Sequence, residues 1–397
     1  MSDTSPLIGP LSGVTVIDLT RVLAGPYCTM VMADQGARII KVETPAGGDD
    51  ARHFGPFVDT SEGGKSAYFM SLNRGKESIA LNLKDEADKQ IFEKLLEGAD
   101  VLVENYRPGT MEKLGYGWET LHQKYPRLIY AAASGFGHSG PYSKRPAYDL
   151  VVQGMGGVMS LTGHPGGEPT RVGTSVGDIT AGLFTTIGIN AALYHRQKTG
   201  EGQKIDVAML DCQVAILENA IARYAATGES PGPIGARHPS ITPFDAFKAA
   251  DGYLIIAAGN DSLFTSLCQA IGQADLACNP LFVTNPLRTE HNAALKDELE
   301  KALESKTVSQ WMDILEQAGV PSGPINNVDQ VLADSQVLAR NMVVSANDEV
   351  AGPLKMAGNP IKMSAFNDPS TRKPAPELDA DRDKIIGELS KSPDNAR

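Results

Sequence analysis

Gly13-Val-Thr-Val-Ile-Asp-Leu19 is short and β-branched, and Ala37-Arg-Ile-Ile-Lys-Val-Glu43 has the same character. Both read as buried parallel strands, which need apolar residues on both faces. Between them Pro26 is placed for the first turn of a helix that ends near Gly36. A strand, a helix and a strand in about 30 residues make a βαβ unit. The rhythm continues with strands at Ser78–Leu83, Val101–Tyr106, Leu128–Ala133 and Ile205–Met209, and with a helix over Asp85–Glu97. These elements predict an α/β fold with a doubly wound, mostly parallel sheet. Its ligand is expected beyond the carboxyl ends of the strands, at Thr20–Gly25, Asn105–Gly109 and Ser134–Gly140.

At 397 residues, two domains are expected. A linker-like run, Gly228–Pro239, precedes a strand at Tyr253–Ala258, a turn at Gly259–Ser262 and helices at His291–Ser305 and Thr307–Ala318. The expected division is a large domain over 1–228, a small α/β domain over 229–320 and a segment over 321–397 that returns to the large one. That last segment contains a strand-like stretch, Pro360–Ser364.

The 48 acidic residues against 36 basic ones give a net charge of −12, which argues against nucleic acid as a partner. A polar Met1-Ser-Asp-Thr-Ser-Pro6 carries no signal-peptide pattern, and no stretch reads as a membrane span. Four cysteines without CxxC spacing fit a reducing compartment, so a cytoplasmic protein is expected. Seven histidines show no HExxH or HxxxH pairing, and no metal site is expected. No GxSxG elbow is present. Glu43 stands where a dinucleotide-binding fold carries its ribose acid, but Leu23-Ala-Gly-Pro26 lacks the glycine fingerprint.

The chemistry centres on Arg171-Val-Gly-Thr-Ser-Val-Gly-Asp178-Ile-Thr-Ala-Gly182. An apolar segment, Leu183–Tyr194, follows and reads as a buried helix stopped by Lys198-Thr-Gly200. Asp178 then lies at a helix N-terminus, where free N–H groups and the dipole are expected to keep it ionised. Taken alone it reads first as an ordinary cap, and only the surrounding chain shifts the balance.

The ordered set Leu19–Pro26, Ile40–Glu43, Asn73–Ser78, Val103–Gly109, Ser134–Pro141, Pro146–Asp149, Gly177-Asp178 and Gly319–Pro321 resembles the class III CoA-transferases, in particular those that use oxalate. The resemblance spans nearly the whole chain. It implies a Rossmann-like large domain, a smaller domain and two chains interlocked as a homodimer. It implies coenzyme A as a substrate, with no tightly bound cofactor, and transfer from a short acyl-CoA (acetyl-CoA before formyl-CoA) to oxalate. Asp178 takes the nucleophile's position. Leu23, Ala24, Leu81, Lys84, Asn105, Tyr106, Arg107, Lys113, Tyr148 and Asp149 fall at CoA contacts, and Gly259 and Asn260 at the acyl or oxalate pocket. The related α-methylacyl-CoA racemases carry a histidine base where this chain has Tyr148. Other class III transferases, of succinyl-CoA or carnitine type, share the aspartate. From a different class, a non-catalytic nucleotide-binding regulator fits the same fold.

Overall fold

The computed structural model describes residues 9–58 and 64–391. The readings of Met1–Pro6, of part of the irregular stretch before Ser66 and of the end of the charged tail lie outside them. Six strands form one sheet: β1 (Thr15–Asp18), β2 (Arg38–Glu43), β3 (Glu77–Ala80), β4 (Val101–Glu104), β5 (Ile129–Ser134) and β6 (Lys204–Ala208). Their order is β3-β2-β1-β4-β5-β6, and every pairing is parallel. The chain thus winds outward in one direction from β1 and in the other from β4, leaving a crevice at their carboxyl ends.

Alternation along the strands divides the core in two. Ile17, Ile40, Ile79 and Leu102 face one layer, where helix Glu86–Glu97 contributes Phe92, Leu95 and Leu96. Val16, Ile39, Val101 and Val103 face the other. There helix α1 (Ala24–Asp34) supplies Cys28 and Met32, and helix α2 (Val176–Thr199) supplies Ile189, Ala192 and Leu193. The two helices touch closely at Gly182, where a Cβ would lie 2.7 Å from the Ala24 carbonyl oxygen. Helix α2 stops at Gly200, whose φ of 81° is a left-handed cap. By length and composition alone α2 could cross a membrane, contrary to the sequence reading, but 44% of its apolar window is buried inside the fold. Its threonines and glycines keep the segment from reading as a continuous apolar run.

Two compact units are present. The first takes the described residues up to Met159, then Arg171–Glu229 and those from Ser335 onward. The second takes Ser160–Thr170 and Ser230–Asp334. The second therefore runs past residue 320. Its antiparallel sheet needs Ser322–Pro324, which pairs with Tyr253–Ala257 as that strand pairs with Phe244–Lys248. Helices Asp261–Ala270, Asn292–Leu303 and Val308–Gln317 enclose a core of Leu254, Ile256, Phe264, Leu299, Trp311 and Leu315.

Pro360–Ser364 is not a strand. The Asn359 side chain accepts from Ile361 N–H across Pro360 and turns the chain instead. The strands of this region are Val343–Asp348 and Gly352–Ala357, an antiparallel hairpin. Farther on, Asp381 and Asp379 accept from the N–H groups of Ser78 and Ala80, covering the open edge of β3.

Candidate active site

The turn after β1 is fixed from beneath. Asn105 accepts from Arg21 N–H at 2.8 Å and donates to Arg21 C=O at 2.7 Å. Asp49 accepts from Val22 N–H at 3.0 Å, while Lys41, fully buried, binds both Asp49 and the Thr20 carbonyl. These bonds hold Val22 at a φ of 67°, a left-handed conformation that costs a β-branched residue energy. Strain of this kind persists only where the surroundings over-determine it. The turn delivers Leu23 and Ala24 to the wall of a cavity.

That cavity, about 570 Å³, lies at the carboxyl ends of β1, β4 and β5, entirely within the first unit. Of the expected residues, Leu23, Ala24, Asn105, Tyr106, Arg107, Tyr148 and Asp178 line it. Arg21, from the expected strand-end loop Thr20–Gly25, lines it too, as does Arg145, which was not singled out. Arg21 pairs with Asp50, whereas Arg107 and Arg145 have no carboxylate partner among the described residues. An acidic protein thus presents three guanidinium groups around one opening, suited to phosphate.

Asp178 sits in the first turn of α2, and no described group donates a hydrogen bond to its carboxylate. Burial, and then the charge of Asp149, push its carboxyl up to about 7. This reverses the sequence expectation of a depressed value. The physical reason is that Gly177 N–H, a free donor of the helix end, goes to Asp149 Oδ1 at 2.8 Å instead. Asp149 Oδ2 is taken by Gln153 Nε2, also at 2.8 Å. A Cβ at position 177 would lie 2.7 Å from Val152 Cγ2 and 3.0 Å from Asp149 Oδ1, so the contact requires glycine before Asp178. Tyr68, on the short helix Ala67–Asn73, also lies within reach of these acids: burial and the charges of Asp178, Asp49 and Asp149 push its hydroxyl up to about 12.

The remaining expected residues lie elsewhere. Leu81 is buried in the core beside Ile79. Lys84 and Lys113 are exposed and outside the cavity lining. Asp149 is buried, with both oxygens engaged as described, and does not line the cavity. In the second unit, Asn260 caps helix Asp261–Ala270 by accepting from Leu263 N–H at 2.8 Å, and Gly259 packs on Ile241. Glu43 is unable to hold a ribose, because Arg52, Ser78 and Asp49 N–H occupy its oxygens.

A parallel sheet with an acid and three arginines at its switch point suits an anionic, nucleotide-like ligand. The model of CoA-transferase family III matches residues 11–382, and the chain belongs to that family. An acetyl-CoA:oxalate CoA-transferase of Acetobacter aceti is 49% identical over 382 residues, 96% of this chain and 96% of that protein. The human succinyl-CoA:glutarate CoA-transferase is 39% identical over 390 residues, 98% of this chain and 88% of that protein. A solved CAIB/BAIF family protein from Brucella suis has a TM-score of 0.85 at 40% identity, covering 96% of this chain and 99% of that one.

Proposed function

We propose that the protein moves CoA from acetyl-CoA to oxalate, with Asp178 as nucleophile. The observation that carries this reading is a carboxylate without hydrogen-bond donors, facing a cavity ringed by arginines. One Asp178 oxygen attacks the thioester carbonyl and the C–S bond breaks, giving an acyl-aspartyl anhydride and CoA thiolate. The thiolate attacks the aspartyl carbonyl, releasing acetate and leaving an aspartyl-CoA thioester. Oxalate displaces CoA to form a second anhydride, and CoA attacks its oxalyl carbonyl, producing oxalyl-CoA and free Asp178. Activation is conserved at each step, as an ester to serine would not allow. A carboxyl near 7 couples substantial ionisation at neutral pH to greater nucleophilicity than an ordinary carboxylate has.

Arg21, Arg107 and Arg145 hold the CoA phosphates in this reading, and Tyr148 borders the entry. A tyrosine there, in place of the histidine base of the racemases, supports transfer over racemisation. A second copy covers the apolar residues exposed on α2, Leu183, Phe184, Ile187 and Tyr194, forming the homodimer that the resemblance implies. The free cysteines suit a cytoplasmic setting.

The test is to mix protein, acetyl-CoA and oxalate and to follow oxalyl-CoA. Hydroxylamine added during turnover should attack the activated Asp178 carbonyl, release CoA and leave a hydroxamate on that residue; an Asp178 that stays unmodified would mean a different mechanism. A second reading, with succinyl-CoA as donor, is supported by the relatives named for succinyl-CoA and is resolved by side-by-side assays of both donors.

A further inference from the structure

Gln153 has no exposed surface, although it belongs to the short helix Asp149–Met155 beside the cavity. Its Nε2 donates to Asp149 Oδ2 at 2.8 Å, and its Oε1 accepts from Val172 N–H at 2.9 Å. Asp149 in turn accepts from Gly177 N–H at 2.8 Å. One buried amide thereby fixes both ends of the backbone that leads into Asp178. Ser175, the residue at the cap position of α2, makes no side-chain cap bond, so Asp149 supplies that function from another helix.

We propose that Gln153 is a positioning residue for Asp178. It orients the Asp149 carboxylate and ties down Val172, setting where the nucleophile stands. The proposal rests on the reading of Asp178 as nucleophile. Its chemistry is specific: the side chain must donate on one side and accept on the other, which a carboxylate does not do when ionised. The titratable group it bonds is Asp149 on its own helix, whose charge acts in turn on Asp178 on α2 and on Tyr68.

The experiment compares Gln153→Glu and Gln153→Met in the full-length protein. Gln153→Glu keeps the acceptor for Val172 but sets a second carboxylate against Asp149. Both variants should fold, lose on the order of 10- to 100-fold in kcat and keep KM for acetyl-CoA within about threefold. In Gln153→Glu the deficit relative to the parent should shrink as pH falls, because the introduced carboxyl, once protonated, regains a donor. Gln153→Met, with nothing to titrate there, should show a constant deficit. Amide hydrogen exchange at Val172 and Gly177 should accelerate in Gln153→Met and reads the clamp without catalysis. Unchanged exchange, or kcat within twofold of the parent in both variants, overturns the proposal. If Asp178→Asn were fully active while exchange still accelerated, the nucleophile reading would fail and the clamp would stand.

Discussion

Two acids in the same unit of the fold, Asp18 and Asp178, show opposite treatment of a buried charge. Burial alone would raise Asp18, but the charges of Lys76 and Lys41 and the hydroxyls of Thr20 and Thr29 hold it well below the usual carboxylate range. Asp18 and Lys76 are both fully buried and 3.0 Å apart. At Asp178, burial meets no such compensation, and the nearby negative charge of Asp149 adds to it. Asp18 is a structural acid, satisfied on every side. Asp178 is left reactive because its neighbour has taken the available donor.

The widest separation between the two should appear in activity. Asp178→Ala should cost at least about 10⁴-fold in kcat, as loss of a covalent nucleophile does, while the protein stays folded and binds CoA. Single-turnover assays with circular dichroism and CoA titration measure all three. Substantial transfer by this variant would remove the reactive role assigned to Asp178.

Asp18→Asn should instead damage the fold. Removing one member of a buried ion pair leaves the other uncompensated, and the loss of unfolding free energy at pH 7 should be about 3–5 kcal/mol. Denaturant unfolding measures it. A loss below 1 kcal/mol would show that Lys76, which burial already lowers to about 8 despite the opposing pull of Asp18, sheds its proton cheaply.

The pH dependence of stability sharpens the contrast further. For Asp178 the folded-state value is raised from 3.8 to about 7, so its favourable contribution is complete below 3.8 and is lost as pH rises to about 7. Asp178→Asn should therefore stabilise the protein by up to a few kcal/mol at pH 8 and by almost nothing at pH 4, at about 1.4 kcal/mol per pH unit of displacement. In the unmodified protein kcat/KM should climb with pH through a midpoint at about 7 and level off roughly a pH unit above it, as Asp178 ionises. Asp149→Asn, which removes the neighbouring charge, should move that rise to lower pH. An unmoved profile would leave burial as the whole cause.

The same contrast separates what the residues disclose from what only the fold discloses. β-Branched runs such as Thr15–Asp18 and Val101–Glu104 announce parallel strands, because a strand covered on both faces has no polar alternation to hide behind. The strand-end loops around residues 20–25 and 105–109 were legible for the same reason, and they meet at one cavity. Gln153 was not legible: a lone polar residue in an apolar helix carries no sign of the two backbone segments it joins. Nor was the direction of the Asp178 shift, which follows first from burial and then from the charge of Asp149, 29 positions earlier in the sequence, which also takes the Gly177 N–H. The hairpin at Val343–Asp348 and Gly352–Ala357 escaped because serine, asparagine and lysine interrupt its apolar pattern.

The smallest effect should come from Lys84 and Lys113, which resemblance places at CoA contacts but which stand exposed outside the cavity. A solvent-exposed ammonium attracts a phosphate weakly, by up to about 1 kcal/mol, and salt screens it over roughly 10 Å at 0.1 M. Lys113→Ala should raise KM for acetyl-CoA by no more than about threefold and leave kcat alone, with the difference vanishing at high ionic strength. Arg107→Ala and Arg145→Ala, at the cavity itself, should raise KM more and retain part of that effect in salt, since a guanidinium bound to phosphate at two points depends on geometry as well as charge. Equal losses at the exposed lysines and the cavity arginines would mean that the ligand's phosphates extend beyond the cavity and are held by general attraction.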